Sequence, residues 1–371
     1  MRSEEQAVKE IPFIYRYLNA YAPVGQETEG QKIWAREVSK YVDKVEKDPY
    51  GTVVASVFFK SMIGGPVGQP LQPPQIVIEA HADEIAWIVT HIEKDGFLRV
   101  KRHGGSDNMI APSKDVVVHT HDGRSVNGVF GWPAIHTRKK YVEEGPDQHE
   151  LWVDLGLEDK EAVLAAGVEV GNLITFNDPL RKIGDYWTGR SLDNKIGGYI
   201  IAEVAKRIKE RNLNFWFDLH IVNSVQEEVG LYGAKMIAKK LGADLALVHD
   251  VCHNTNAPRM DKSKEGEING GDGPTIQYTA QNHRAINQLV RTTAADNNIP
   301  LQLEVGSYGN DTMAFFLENT PTAIISTPLK YMHTTVEMAH TNDVENAIEL
   351  FIETLKNITP EFLGEVYNKE I

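Results

Sequence analysis

Five places in the chain carry residue types that bind metals: His81 with Asp83, Asp193 within Ser191-Leu192-Asp193-Asn194-Lys195, the pair Glu227-Glu228, Asp250, and His333. Imidazole nitrogen and carboxylate oxygen suit zinc, cobalt or manganese. Two such ions held about 3.5–4 Å apart need a shared ligand, and a carboxylate bridges with its two oxygens. Neighbouring acids at 227 and 228 allow a division of labour, one binding metal while the other takes a proton from water. Asp83, two residues beyond His81, is placed to hold the far nitrogen of that imidazole. The chemistry that fits is a two-metal hydrolase.

Taken singly, each position has a plainer reading. A His-x-Asp is more often a polar pair at a strand end. Most Glu-Glu pairs are solvated turns, Asp193 before Asn194 could cap a helix, Asp250 could be a loop acid beside His249, and His333 is one of 13 histidines. The set is more specific than its members, because each lies at a strand or helix boundary. In open α/β sheets ligands gather at the carboxyl ends of strands, which would bring distant residues to one crevice.

The elements that must position them follow from periodicity. Helices are expected over 9–20 and 30–43, and strands over 52–59 and 75–80, the latter ending at His81. Residues 64–74, rich in Gly and Pro, read as a loop. From about 84 to 187 helical periodicity nearly disappears. Short β-rich pieces recur at 85–92, 97–100, 116–119, 126–130, 151–155 and 173–176, with Asp95-Gly96 and Asp122-Gly123 as hairpin-type turns and one helix near 160–166. This predicts an inserted β-barrel or sandwich. After 190 the α/β alternation returns. Ile196, Ile200, Val204 and Ile208 mark one helix face, and strands are expected over 215–225, 245–248 and 322–326. Helices are expected over 234–241 (stopped by Gly242), 283–297 and 344–358, the last capped by Thr341 or Asn342. The expected fold is α/β, a mixed sheet with helices on both faces, interrupted by a barrel-like insert. Residues 1–83 and 188–371 would form the catalytic domain and 84–187 the insert.

The 371 residues exceed one small core. Lys plus Arg number 38 against 52 Asp plus Glu, a net charge of −14, and the longest basic cluster is Arg138-Lys139-Lys140, which argues against general nucleic-acid binding. The single cysteine, Cys252, excludes an internal disulfide and suggests a reducing compartment. MRSEEQAVKE has no apolar signal core, and no run approaches the roughly 20 apolar residues that span a bilayer. The expectation is a cytoplasmic protein with no membrane partner.

The phrases EAHADEIAWIV, RSLDNKIGGY, SVQEEVGLYGA and PLKYMHTTVE resemble the signature blocks of the M42 metallo-aminopeptidases, which include the glutamyl and tetrahedral (TET) aminopeptidases. LWVDLG followed by AAGVEVGNLITF resembles their inserted dimerisation domain. The likeness runs from about residue 10 to 360. It implies that His81 and Asp250 bind one metal, that His333 and Glu228 bind the other, and that Asp193 bridges both. Glu227 would be the general base and then the general acid, Asp83 would orient His81, and the Asp193–Asn194 peptide would be cis. It implies two divalent ions per subunit, zinc or cobalt first and manganese next. The substrate would be a peptide with a free N-terminus, cleaved through a metal-bridging water. It also implies homo-oligomers from dimers to twelve-subunit particles.

The chain departs from the family pattern in two places. A Gly-Gly-Thr-Asp-like loop reads Gly306-Ser307-Tyr308-Gly309-Asn310-Asp311 here, which makes Asp311 and Tyr308 candidate substrate contacts. Ala86 and Trp87 stand where Gly and Phe are frequent. His249, Cys252 and His253 around Asp250 suggest a second metal cluster less readily than packing or a helper role. His340 and His136 are equally weak candidates, and Glu84 reads as a structural or ion-pairing acid. The competing functions are a di-metal carboxypeptidase or N-acyl-amino-acid deacylase on the same scaffold, a metal-free glycoside hydrolase using two carboxylates, and a non-catalytic binding protein.

Overall fold

The computed structural model describes residues 11–60, 72–138, 145–306 and 309–367. Helices α1 (Phe13–Asn19) and α2 (Thr28–Val38) precede strands β1 (Lys44–Lys47), β2 (Val53–Val57) and β3 (Gln75–His81). Six strands follow: β4 (Ala86–Ile92), β5 (Leu98–His103), β6 (Asp115–His119), β7 (Ser125–Phe130), β8 (Trp152–Asp154) and β9 (Leu173–Phe176), with α3 (Lys160–Ala165) before β9. Next come β10 (Arg181–Ile183), β11 (Tyr186–Gly189), the long helix α4 (Leu192–Glu210), β12 (Asp218–Ser224), α5 (Tyr232–Leu241) and β13 (Leu245–His253). The chain continues through α6 (Lys262–Glu265), β14 (Thr275–Gln277), α7 (Arg284–Asp296), β15 (Gln302–Glu304) and α8 (Thr312–Leu317). It closes with β16 (Thr322–Lys330), β17 (Glu337–His340), α9 (Thr341–Asn357) and α10 (Pro360–Tyr367).

The large sheet runs β1-β2-β12-β3-β13-β16-β17-β11-β10, with β14 and β15 branching from β16. Its centre, β12, β3, β13 and β16, is parallel. Such strands are covered on both faces and read as nearly continuous apolar runs. Side chains alternate accordingly. Ile76 and Ile78 of β3 face the core built with Ile196, Ile200, Val204 and Ile208 of α4. Val77, between them, packs with Ala234, Ile237 and Ala238 of α5 and Phe315 of α8. The outer strands β1 and β10 are different: they carry Lys44 and Lys47, and Arg181 and Lys182, all exposed.

Strands β4-β5-β8-β7-β6-β9 close into a barrel around Trp87, Leu98, Val118, Phe130, Val153 and Ile174, so of the two expected β architectures the barrel is the one formed. Gly96 and Gly123 take the positive φ (84° and 83°) that their turns require. The large sheet resumes at β10, before residue 188.

Several boundaries differ from expectation. The helix expected over 30–43 begins at Thr28 and stops at Val38, so Tyr41 and Val42 pack against the core from outside it. β13 runs on to His253 and β16 to Lys330, because parallel pairing from Ala246↔Thr322 to His253↔Leu329 holds both strands extended past their apolar cores. Helix α9, expected to close the chain but followed by α10, is capped by neither Thr341 nor Asn342: the His340 ring accepts from the Asn342 N–H at 3.2 Å. β10, β11, β14, β15 and β17 carry mixed polar sequences of three or four residues and gave no periodic signal. The expected loop at 64–74 lies largely outside the described residues.

Candidate active site

The expected residues converge at the carboxyl edge of the parallel strands. His81 is the last residue of β3 and pairs in register with Ser224, the last residue of β12. The β12–α5 turn carries Glu227 and Glu228, Asp250 lies within β13, His333 follows β16, and Asp193 opens α4. Gln226 and His333 both adopt left-handed backbone, with φ of 60° and 59°. The Asp193–Asn194 peptide is cis.

Asp193 stands between the two histidines. Its Oδ1 is 3.3 Å from His81 Nε2, and its Oδ2 is 3.2 Å from His333 Nε2. Asp250 Oδ1 lies 3.8 Å from His81 Nε2, and Glu228 Oε1 lies 3.3 Å from His333 Nε2. Two groups of potential ligand atoms result, His81-Asp193-Asp250 and Asp193-Glu228-His333, each with its atoms within 4.8 Å of one another and both sharing Asp193. Glu227 Oε2 lies 4.0 Å from His81 Nε2 and belongs to neither group.

The electrostatics fit divalent cations. Four carboxylates share this buried crevice with two imidazoles. Burial, together with the crowding of like charges, raises the acids of Asp250 and Glu228 and pushes Glu227 up to about 10. Burial alone would lower His333, but hydrogen bonds to Asp193 and Glu228 carry it up to about 12. Without positive charge, such a cluster keeps protons that a cation would displace. His81 Nδ1 is buried with no aligned hydrogen bond, and Asp83 Oδ1 lies 3.4 Å from it. Asp83 also accepts from the backbone N–H groups of Glu227 (3.0 Å) and Glu228 (3.1 Å), so one buried acid ties three site residues together.

These groups open onto a cleft of about 510 Å³, whose other described walls are Leu231, Val251, His253, Gly309 and Met332. A family model described as M42 glutamyl aminopeptidase matches residues 63–350. The chain belongs to that family. This M42 peptidase is 29% identical over 325 residues to the lysyl aminopeptidase of Pyrococcus furiosus, an alignment covering 86% of this chain and 88% of that one. Among solved structures, an aminopeptidase from the archaeon Desulfurococcus kamchatkensis superposes with a TM-score of 0.87 at 30% identity, covering 96% of this chain and 98% of its own. The Pyrococcus horikoshii TET1 peptidase, which can assemble into a tetrahedron or a large octahedral shell, gives 0.79 at 26% identity over 92% and 98%. The M42 chain is a metal-dependent aminopeptidase, and neither the carboxypeptidase or deacylase reading nor the binding-protein reading is favoured.

Of the other candidates in this M42 peptidase, His253 alone among the described residues lines the cleft. Asp311 does not line it: the residue is buried, and its Oδ2 accepts from Ser224 Oγ at 3.2 Å. Asn310 is buried too, its Oδ1 accepting from the Thr312 N–H. Tyr308 lies outside the described residues. Ala86 and Trp87 are buried, and Trp87 packs edge-on against Phe130 inside the barrel. His249, Cys252 and His253 do not converge. His249 Nδ1 sits 3.1 Å from Asn194 Oδ1, Cys252 is buried beside Thr275, and His253 lines the cleft. His340 caps α9, and His136 is exposed. Glu84 is the structural acid expected, buried in an ion pair with Arg190.

Sequence reasoning missed Glu337. This buried acid accepts from the backbone N–H of His333 at 2.8 Å and from that of Asp193 at 3.1 Å, tying site residues together through their backbone as Asp83 ties Glu227 and Glu228. Its signal was present, since it closes the block PLKYMHTTVE four residues after His333. Arg190 and Lys195 were also missed. They flank Asp193 and hold the carbonyls of Ala20 and its neighbours.

Proposed function

We propose that the protein removes N-terminal residues from peptides with two divalent cations, one held by His81, Asp193 and Asp250 and the other by Asp193, Glu228 and His333. The observation that carries this reading is Asp193, whose two carboxylate oxygens face two different imidazoles at 3.3 and 3.2 Å. Zinc, cobalt and manganese all accept this donor set. When bound, the cations polarise the scissile carbonyl and acidify a water.

Glu227 is the general base. It stands beside the shared carboxylate group without belonging to it, and its high affinity for a proton falls once positive charge balances its neighbours. It takes a proton from the attacking water and passes it to the departing amine. Asp83 holds the His81 ring and the Glu227-Glu228 backbone, so base and ligand move as one. Asp250, on β13, and Glu228, in the β12–α5 turn, serve different histidines, and Glu227 stands beside the His81 end of the group.

The subunit would pair through the barrel into a homo-oligomer, between a dimer and a dodecamer, working on peptides in the cytoplasm. The deciding experiment is a panel of aminoacyl anilides, free and N-acetylated, with added cobalt or zinc or with a chelator. Hydrolysis of the free series alone, abolished by the chelator, is the expected result. Turnover of only the acetylated series would replace this reading with a deacylase.

A further inference from the structure

One turn of the barrel reaches the site. Gly104 and Gly105 follow β5, and the Gly105 carbonyl oxygen lies 3.2 Å from His333 Nδ1, a residue 228 positions away. A carbonyl oxygen only accepts, so Nδ1 carries a proton whatever the state of the rest of the ring. Nε2, which faces Asp193 Oδ2 (3.2 Å) and Glu228 Oε1 (3.3 Å), is then the nitrogen whose proton a cation would replace. There is no room for a side chain on the donor's partner: a Cβ at 105 would stand 2.6 Å from His333 Cε1. At Gly104, whose φ is +81°, a Cβ would sit 3.3 Å from Glu228 Cβ. The turn therefore touches two of the three side chains assigned to the second cation. The bonds described for His81 and Asp250 come from Asp83, Asp193 and the large sheet, and none comes from the barrel.

We propose that the Gly104–Gly105 turn is a positioning element of the second cation site. The large sheet fixes the His333 backbone through Glu337, and the barrel fixes the ring through the Gly105 carbonyl, selecting the tautomer and rotation that can bind a cation. Docking of the barrel is then required for the second cation and not for the first. This rests on the assignment of Asp193, Glu228 and His333 as ligands. Outer partners that orient a ligating histidine typically change metal affinity 10–100-fold.

The test is cobalt(II) titration of the full-length wild type, Gly105→Ala and His333→Ala, with NMR of the shifted, exchangeable imidazole N–H signals of the cobalt-loaded proteins. Wild type should bind two cobalt ions and show two such signals, from His81 and His333. Gly105→Ala should bind the first ion normally, bind the second about 10–100-fold more weakly, and lose one signal. Equal weakening of both sites would mark a merely structural role and overturn the proposal, as would two wild-type affinities with both signals kept. Should Gly105→Ala not fold, wild type and His333→Ala decide together: the signal that His333→Ala removes is the one bonded to Gly105, and a wild-type spectrum with no signal that His333→Ala removes excludes the bond. If His333→Ala still binds two ions, the ligand assignment itself fails, an outcome distinct from failure of the barrel contact.

Discussion

Asp83 and Glu337 perform parallel work at the residue scale. Each is a buried acid that accepts backbone N–H groups from residues carrying the site, Glu227 and Glu228 in one case and Asp193 and His333 in the other. Glu337→Ala leaves the buried Asp193 N–H unpaired, at about 1–3 kcal/mol, and the half-buried His333 N–H unpaired at less. Thermal unfolding should show the loss, and cobalt titration should show weakened binding. Glu227→Gln separates base from ligand. It should retain both cations by elemental analysis while kcat falls by about 10²–10⁴, and near wild-type turnover would remove Glu227 from its role. The raised acids of Asp250, Glu227 and Glu228 give the pH dependence its sign. Protons held by these groups must leave as a cation enters, so metal binding should release protons and weaken as pH falls. Titration in a weakly buffered indicator solution reads this directly, and no proton release would contradict it. The ligands were legible in the sequence because their types are rare together at strand ends. Glu337 had a signal, closing its block four residues after His333, but it acts through backbone groups that side-chain chemistry does not name; Arg190 and Lys195 had none, because their partners on α1 lie more than 160 positions away.

At the scale of elements, three segments wall the cleft: Leu231 ahead of α5, Val251 on β13, and Met332 after β16. Among the described lining residues none is Lys or Arg, and two dications would offset the four carboxylates. The expected preference is for neutral, apolar N-terminal residues. Leucyl and methionyl anilides should exceed glutamyl and lysyl ones by about tenfold or more, the scale of one or two buried methylenes. Leu231→Lys should raise the glutamyl rate relative to the leucyl one, and an unchanged ranking would place the specificity elsewhere. A second element-scale prediction concerns β6. His119 packs against Tyr21, with ring centroids 4.8 Å apart, and its Nε2 is 2.8 Å from Thr175 Oγ1. Burial lowers its pKa from 6.5 to about 4. Between those values the unfolded chain holds a proton that the folded one does not. His119 therefore costs stability progressively as pH falls through that window, by roughly 3 kcal/mol at the bottom. His119→Gln should lose less melting temperature than wild type between pH 7 and 4.5. The long apolar elements were legible because burial on both faces leaves a strong pattern. Strands such as β10 and β17 are short and polar, held by pairing partners that local sequence does not name.

For the whole molecule, the sequence divides into an α/β sheet and a barrel, and both were readable from the switch in periodicity. Their mutual contact was not, because Gly104 and Gly105 carry no side chain to announce it. Assembly through the barrel should appear in sedimentation velocity as a species larger than the monomer at micromolar concentration, and a monomer would remove it. Two of the free edges of the large sheet, β1 and β10, are guarded against association. Strand edges offer unsatisfied amide rows to any passing chain, and cationic side chains discourage that docking. Lys44 and Lys47 guard the β1 edge, and Arg181 and Lys182 the β10 edge. Replacing Arg181 and Lys182 with threonine should leave peptide cleavage intact, yet concentrated stocks should turn turbid and bind thioflavin sooner than wild type.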